Sequence, residues 1–166
     1  LIVDSGMESL QEPAISIGCR GILSLELFLK EAAFDLHSGQ LGGIAYNPNK
    51  ALVELLSTLY DESGKVAIKD FYEDCVELDT ETEIKLSFSF DKKEFQEKFG
   101  FTPKKENPLK DNWLRPTLEI NGISGGYARA GFKTVIPSQA LAKLSCRVVA
   151  GQDPDKLLSL IEEHLE

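Results

Sequence analysis

From Ile15 to Leu29 the odd positions read Ile15, Ile17, Cys19, Gly21, Leu23, Leu25, Leu27 and Leu29, while the even positions include Ser16, Arg20, Ser24, Glu26 and, next in line, Lys30. Successive side chains of a strand leave on opposite faces, so this run predicts a long strand with one face on a core. A strand of that kind commits the chain to a sheet with something apolar laid over one side. The signal returns over residues 140–149, with Ala140, Ala142, Leu144, Cys146 and Val148 on one side and Lys143, Ser145 and Arg147 on the other. Arg147 is therefore expected to point away from the core. A shorter alternation, Thr117-Leu118-Glu119-Ile120-Asn121, predicts a third strand closed by a Gly-rich loop from Gly122 to Gly131.

Helices to cover such a sheet are announced twice by an Asx residue before proline, at Asn47-Pro48 and Asp153-Pro154. The side chain caps free N–H groups of the first turn, and proline at the first helical position sacrifices no bond. Ala51, Leu52, Leu55, Leu56 and Leu59 then share one face, as do Leu157, Leu158, Ile161 and Leu165. Between Gly64 and Pro116 the pattern is mixed: Thr80 to Glu83 has capping-box spacing for a helix, which we adopt, although Ile84, Leu86, Phe88 and Phe90 alternate like a strand. A short helix is expected after Asp91, with Glu94 in the capping-box position and Phe95 and Phe99 on one face. The expected fold is α+β: an open antiparallel sheet with two main helices on one face, in the order of a split β-α-β sandwich, plus a helical insertion at about 65–115. An open sheet exposes edges that can pair with a second copy, so dimerisation is a physical expectation.

At 166 residues and 42% hydrophobic, the chain suits one domain. A net charge of −9 and a pI near 4.8 argue against nucleic acid or anionic membrane as partners, since both demand a basic patch. Cys19, Cys75 and Cys146 are odd in number, widely spaced and without a CxxC pair, which suits buried thiols in a cytoplasmic location better than a disulfide scaffold. No apolar run approaches the roughly 18 residues of a membrane span. The opening Leu1-Ile2-Val3-Asp4 lacks Met and a leader pattern, and we read residues 1–12 as a linker from a preceding domain and 13–166 as the domain proper.

Only two histidines are present. His164 lies in the last turn of a helix, where an imidazole suits the negative end of the dipole, and reads as structural. His37 follows the long strand amid small residues, Ser38-Gly39 and Gly42-Gly43, which leave room for a ligand; a turn histidine bonded to Asp35 is the alternative. A catalytic zinc takes about three protein ligands, and no HxD, HxxxH or CxxC pairing supplies them, so the chain is expected to hold no metal alone. No GxSxG elbow is present, and Gly122-Ile123-Ser124-Gly125-Gly126-Tyr127 does not match a phosphate loop. Arg147 is either a solvated charge or a clamp for a substrate carboxylate.

Taken together, Gly18-Cys19-Arg20-Gly21, Asp35-Leu36-His37-Ser38-Gly39, Gly42-Gly43, Asn47-Pro48, Arg115-Pro116-Thr117-Leu118, Gly131-Phe132-Lys133-Thr134-Val135-Ile136-Pro137 and Ala142-Lys143-Leu144-Ser145-Cys146-Arg147 form an ordered set. It resembles the lid, or dimerisation, domain of carnosinase-like cytosolic dipeptidases, in the zinc exopeptidase family that includes aminoacylase. The resemblance spans essentially the whole chain. It implies a ferredoxin-like lid over a di-zinc site, zinc being replaceable by Mn or Co, with a dipeptide or small peptide as substrate and a homodimer formed through the lid. It further implies that His37 stabilises the oxyanion formed on the peptide carbonyl, that Thr134 contacts substrate, and that Arg147 binds its terminal carboxylate. Asp4 matches an aspartate that ligates one zinc in the parent enzyme; the other ligands and the general base would lie outside this chain. Two departures are Ala128-Arg129-Ala130, where relatives tend to carry smaller or acidic residues, and the end at Glu166, before the strand that usually completes the lid sheet. The competing readings are a free-standing association module without catalytic role and a small-ligand regulatory domain of similar shape.

Overall fold

The second of the two alternating runs becomes the middle of the sheet. In the computed structural model, residues 18–85, 90–104 and 108–166 are described. They run in the order β1 (Gly21–Lys30), β2 (Leu36–His37), α1 (Ser38–Leu41), α2 (Pro48–Ser57), α3 (Thr80–Lys85), α4 (Lys92–Phe99), α5 (Pro108–Leu114), β3 (Thr117–Gly125), β4 (Val135–Ile136), β5 (Gln139–Val148) and α6 (Pro154–Leu165). β1, β5 and β3 form an antiparallel sheet in the order β1-β5-β3, and β2 pairs with β4 in a separate two-stranded ladder. The fold is thus α+β with an open antiparallel sheet.

Along β5, Ala140, Ala142, Leu144, Cys146 and Val148 are buried, whereas Gln139, Lys143 and Arg147 are exposed, as the alternation requires. Against that buried row pack Leu52 and Leu56 of α2 and Leu157 and Ile161 of α6, with Leu59 and Leu118, in a single core. Both capped helices therefore lie on one face of the sheet. Val66, Ile68 and Phe71, from the segment that follows α2, fill the same core. Burial pushes the Cys146 thiol up to about 11, so it packs as an inert apolar group. The expectation of three buried thiols fails for the other two: Cys19 is exposed and Cys75 is half-buried, because neither lies on the covered face of the central strand.

β1 shows the cost of being an edge. Leu23, Leu25, Leu27 and Leu29 pack on the core yet stay partly exposed, since one hydrogen-bonded neighbour shields one flank only. On the opposite face Ile22 and Phe28 are more than half exposed. Ile15 and Ile17, at the start of the expected strand, lie outside the described residues.

β3 runs further than its alternation suggested. The strand was expected to stop at Asn121, but pairing continues through Gly125, with Ile120 opposite Leu144 and Gly122 opposite Lys143, so that Asn121 is an extra residue in a bulge. The ladder needs only backbone groups, and an edge strand tolerates glycine where a central strand would not. Gly125 is required for a second reason: a Cβ there would run into the Asn49 side chain of α2.

The caps form as the sequence dictates. Asn47 Oδ1 accepts from Asn49 N at 2.9 Å, and Asp153 Oδ1 accepts from Asp155 N at 2.9 Å. Asp91 accepts from Lys93 N and Glu94 N, Gly100 closes α4 in the left-handed conformation, and the rings of Phe95 and Phe99 sit 4.6 Å apart. The helix expected near Thr80 is present as α3, but its cap is Asp79, which accepts from Thr82 N at 2.8 Å. Leu86 and Phe88 of the alternative strand reading lie outside the described residues. His164 Nε2 lies 3.0 Å from Thr58 Oγ1 and 3.1 Å from Thr58 O, tying the end of α6 to the end of α2. Among the described residues no helix is long and apolar enough to cross a membrane.

These contacts predict unequal costs. Leu144→Ala, which opens a cavity beneath both helices, should destabilise the chain by about 2–5 kcal/mol. His164→Ala removes an exposed bond and should cost no more than about 1.5 kcal/mol. Urea unfolding followed by far-UV circular dichroism measures both, and equal losses would contradict the placement of the core.

Candidate functional site

The residues around His37 are held by the turn that launches the central strand. Between β4 and β5, Ser138 uses three groups: its carbonyl accepts from Glu31 N at 3.0 Å and Ala32 N at 3.4 Å, while its N–H and hydroxyl donate to Asp35 Oδ1 at 2.9 and 3.1 Å. The loop leaving β1 is thereby fastened to the turn entering β5. In the ladder that follows, Leu36 faces buried Ile136 and His37 faces Val135, and Ser38 N donates to Thr134 O at 3.1 Å. His37 and Thr134 are in this way neighbours, both exposed.

Asp35 does not bond His37, contrary to the local-turn alternative, because Ser138 takes its carboxylate. The backbone N–H of Ser138 and then its hydroxyl hold the Asp35 carboxyl below its usual range; burial opposes them, and the Lys133 charge adds the least. His37 caps α1 instead, its Nδ1 accepting from Gly39 N at 2.9 Å. That bond leaves Nε2 to carry the proton of the neutral ring and to donate outward. Glycine at 39 is part of the device, since a Cβ would come within 2.9 Å of His37 Cε1.

Beside this pair lies an open cleft of about 220 Å³, lined by Asn47 and Asn49 at the start of α2, by Tyr127 and Phe132 of the Gly-rich loop, and by Lys133 and Pro137. The loop closes on itself through Tyr127 Oη, which donates to Ala130 O at 2.9 Å, and the Phe132 side chain stands wholly in solvent.

Arg147 is not brought to this site. It lies near the other end of β5, exposed on the uncovered face, opposite Ile22 of β1 and Thr117 of β3. From Gln139 to Arg147 the strand advances about 3.4 Å per residue, or roughly 27 Å. Arg20, read only as an outward residue of the first strand, emerges as its neighbour. Its Nη1 is buried without a hydrogen-bond partner among the described residues, and its charge is felt together with that of Arg147. The signal was available in the even-position parity of residue 20, but spacing alone did not set it beside residue 147.

The described residues do not fit a metal centre. No group of three or more His, Cys, Asp or Glu side chains converges among them, and His37 has one ring nitrogen engaged already. Asp4 lies outside the described residues.

Comparison with known proteins is consistent along the chain. A family profile described as peptidase dimerisation domain matches residues 17–166. The Cys-Gly metallodipeptidase of Candida albicans is 34% identical over 159 residues, covering 93% of this chain and 33% of that protein. The human Beta-Ala-His dipeptidase is 36% identical over 173 residues, covering all of this chain and 34% of that protein. Among solved structures, an M20 family metallo-carboxypeptidase from Sulfolobus solfataricus superposes with a TM-score of 0.87 at 35% identity, over 97% of this chain and 43% of that one. Human carnosine dipeptidase 1 does so with a TM-score of 0.82 at 32% identity, over 92% and 34%. The chain spans about a third of the length of the curated relatives it matches.

The clamp at Ser138 carries a pH prediction. With its folded-state pKa depressed, Asp35 contributes stability that is fully present above its unfolded value of about 3.9 and is lost as pH falls through the folded value. Carboxyl-resolved NMR should show Asp35 titrating below the ordinary aspartate value of about 3.9, and Asp35→Asn should remove that part of the acid dependence. An ordinary Asp35 titration would count against the clamp.

Proposed function

The chain belongs to the peptidase dimerisation domain family, and we propose that it is the dimer-forming lid of a metal-dependent dipeptidase, closing over peptide substrate in a site shared between two copies. The observation that carries this reading is the presentation of His37, with Nδ1 held by Gly39 and Nε2 free to donate, beside Thr134. A donor fixed in advance of the reaction stabilises a developing oxyanion without reorganising, and that stabilisation is largest where water is excluded. In the enzyme so envisaged, the Nε2 proton of His37 meets the carbonyl oxygen of the scissile bond as it gains negative charge. Thr134 contacts the substrate beside it, and the guanidinium of Arg147 holds the terminal carboxylate by a two-pronged charge-assisted bond. The metal ions, taken as two zinc ions with Mn or Co as substitutes, would be held by Asp4 and, for the remaining ligands, by segments outside this chain.

Geometry supports a site built from two copies. An extended dipeptide spans about 7 Å, far less than the roughly 27 Å between the two ends of β5, so His37 and Arg147 of one copy cannot grip the same substrate. Among the described residues the outer edges of β1 and β3 have no strand beside them, and such edges supply backbone groups with which two copies can associate. Given the relatives, Cys-Gly and Beta-Ala-His are the first substrates to try.

Two measurements test this. In the full-length protein, His37→Ala should lower kcat on either dipeptide roughly a hundredfold or more; unchanged turnover would remove the oxyanion role. A mixed dimer of one His37→Ala copy and one Arg147→Ala copy should recover about half the wild-type activity, because one of its two sites then receives both intact groups. No recovery would mean that each copy serves itself.

A further inference from the structure

Arg20 and Arg147 leave the same face of the sheet at the same end. Ile22 lies directly opposite Arg147 in the β1–β5 ladder, and Arg20 precedes Ile22 by two residues. Extended one residue beyond the paired register, the period of two sets Arg20 on the face that carries Arg147, and the Arg147 charge is felt at its guanidinium. Like charges set this close repel one another and call for a counter-charge. The described ion pairs engage Lys50, Arg115, Lys143 and Lys156, among which Lys143 shares the strand with Arg147 and meets Glu26 at 3.1 Å. Neither Arg20 nor Arg147 takes part in such a pair among the described residues.

Arg20 has a second peculiarity. Its Nη1 is shielded from water and has no hydrogen-bond partner among the described residues, a condition that costs more for a charged donor than for a neutral one. Burial, and after it the charge of Arg147, pull the Arg20 guanidinium below its ordinary range. A carboxylate is the chemical complement of this arrangement, because its two oxygens offer about four lone-pair positions and can accept from two guanidinium forks at once.

We infer that Arg20 is a second guanidinium of the carboxylate clamp, binding the free C-terminus of a peptide substrate jointly with Arg147 and so determining specificity for it. The inference rests on the clamp role proposed for Arg147. A neutral C-terminal amide would leave two cations side by side without an anion between them. The pair thereby selects against blocked peptides as well as for free ones.

The test is steady-state kinetics of the full-length protein on the same two dipeptides, each as free acid and as C-terminal amide. Arg20→Gln should lower kcat/KM on the acids about tenfold or more, mainly through KM, and should hold or raise it on the amides, so that the preference for the acid narrows. Arg20→Lys keeps the charge and loses the fork; it should show an intermediate loss confined to the acids, and it decides the matter where Arg20→Gln does not fold. Equal losses on acids and amides, or no loss, would assign Arg20 to structure and overturn the inference. Arg147→Gln measured in parallel separates the two claims. An acid-selective loss at Arg147 without one at Arg20 overturns the inference alone, whereas losses at Arg147 that ignore the carboxylate overturn the clamp itself.

Discussion

The sheet, the two helices that cover it and the turn beside His37 all depend on a strand with two partners and one covered face. β5 is hydrogen-bonded on both flanks and buries Ala140, Ala142, Leu144 and Cys146 beneath α2 and α6, so neither its register nor its facing can slip without exposing that row. Small Ala140 and Ala142 and larger Leu144 share one core with Leu52 of α2. Because facing is fixed along the whole strand, Lys143 and Arg147 are obliged to project from the other side. The chemistry proposed for the uncovered face is thus a by-product of packing on the covered one.

The same strand divides the chemistry. At its entrance the Ser138 turn gathers the loop after β1 and the β2–β4 ladder, and with them His37 and Thr134. Toward its exit sit Arg147 and, across the ladder, Arg20. Under the proposed function, these two ends are complementary halves of one binding site, which a single copy cannot bring together and two copies lying antiparallel could.

How far all this was legible depended on whether a residue's role is set by its neighbours in sequence or in space. The facing of Arg147, the face shared by the helices and the caps at Asn47, Asp91 and Asp153 follow from spacing, and the structure agrees. The cap of α3 at Asp79 rather than Thr80 was lost among competing side chains of similar capability. The ladder between residues 36–37 and 135–136 was invisible because two-residue strands have no period. The bonds that Ser138 donates to Asp35 join residues that no local rule connects, which is why the alternative reading of His37 gave it a neighbour it does not use. For the site itself, the residues singled out depended on family likeness, while the pairing of Arg20 with Arg147 needed the strand register.

The bulge in β3 has a consequence for how this region can vary. Before it, the even residues Leu118 and Ile120 sit opposite the core-facing Cys146 and Leu144; after it, the odd residue Ile123 sits opposite core-facing Ala142. Asn121 therefore works as a parity switch. Losing that one residue would leave Gly122 opposite Lys143 and Ile123 opposite Ala142, now in unbroken alternation with Ile120, so the ladder would lose its bulge and keep its facing. A one-residue loss is therefore absorbed at Asn121, where the strand carries one residue more than its partner, whereas a loss from Ile123 to Gly125 would shift which residues face the core.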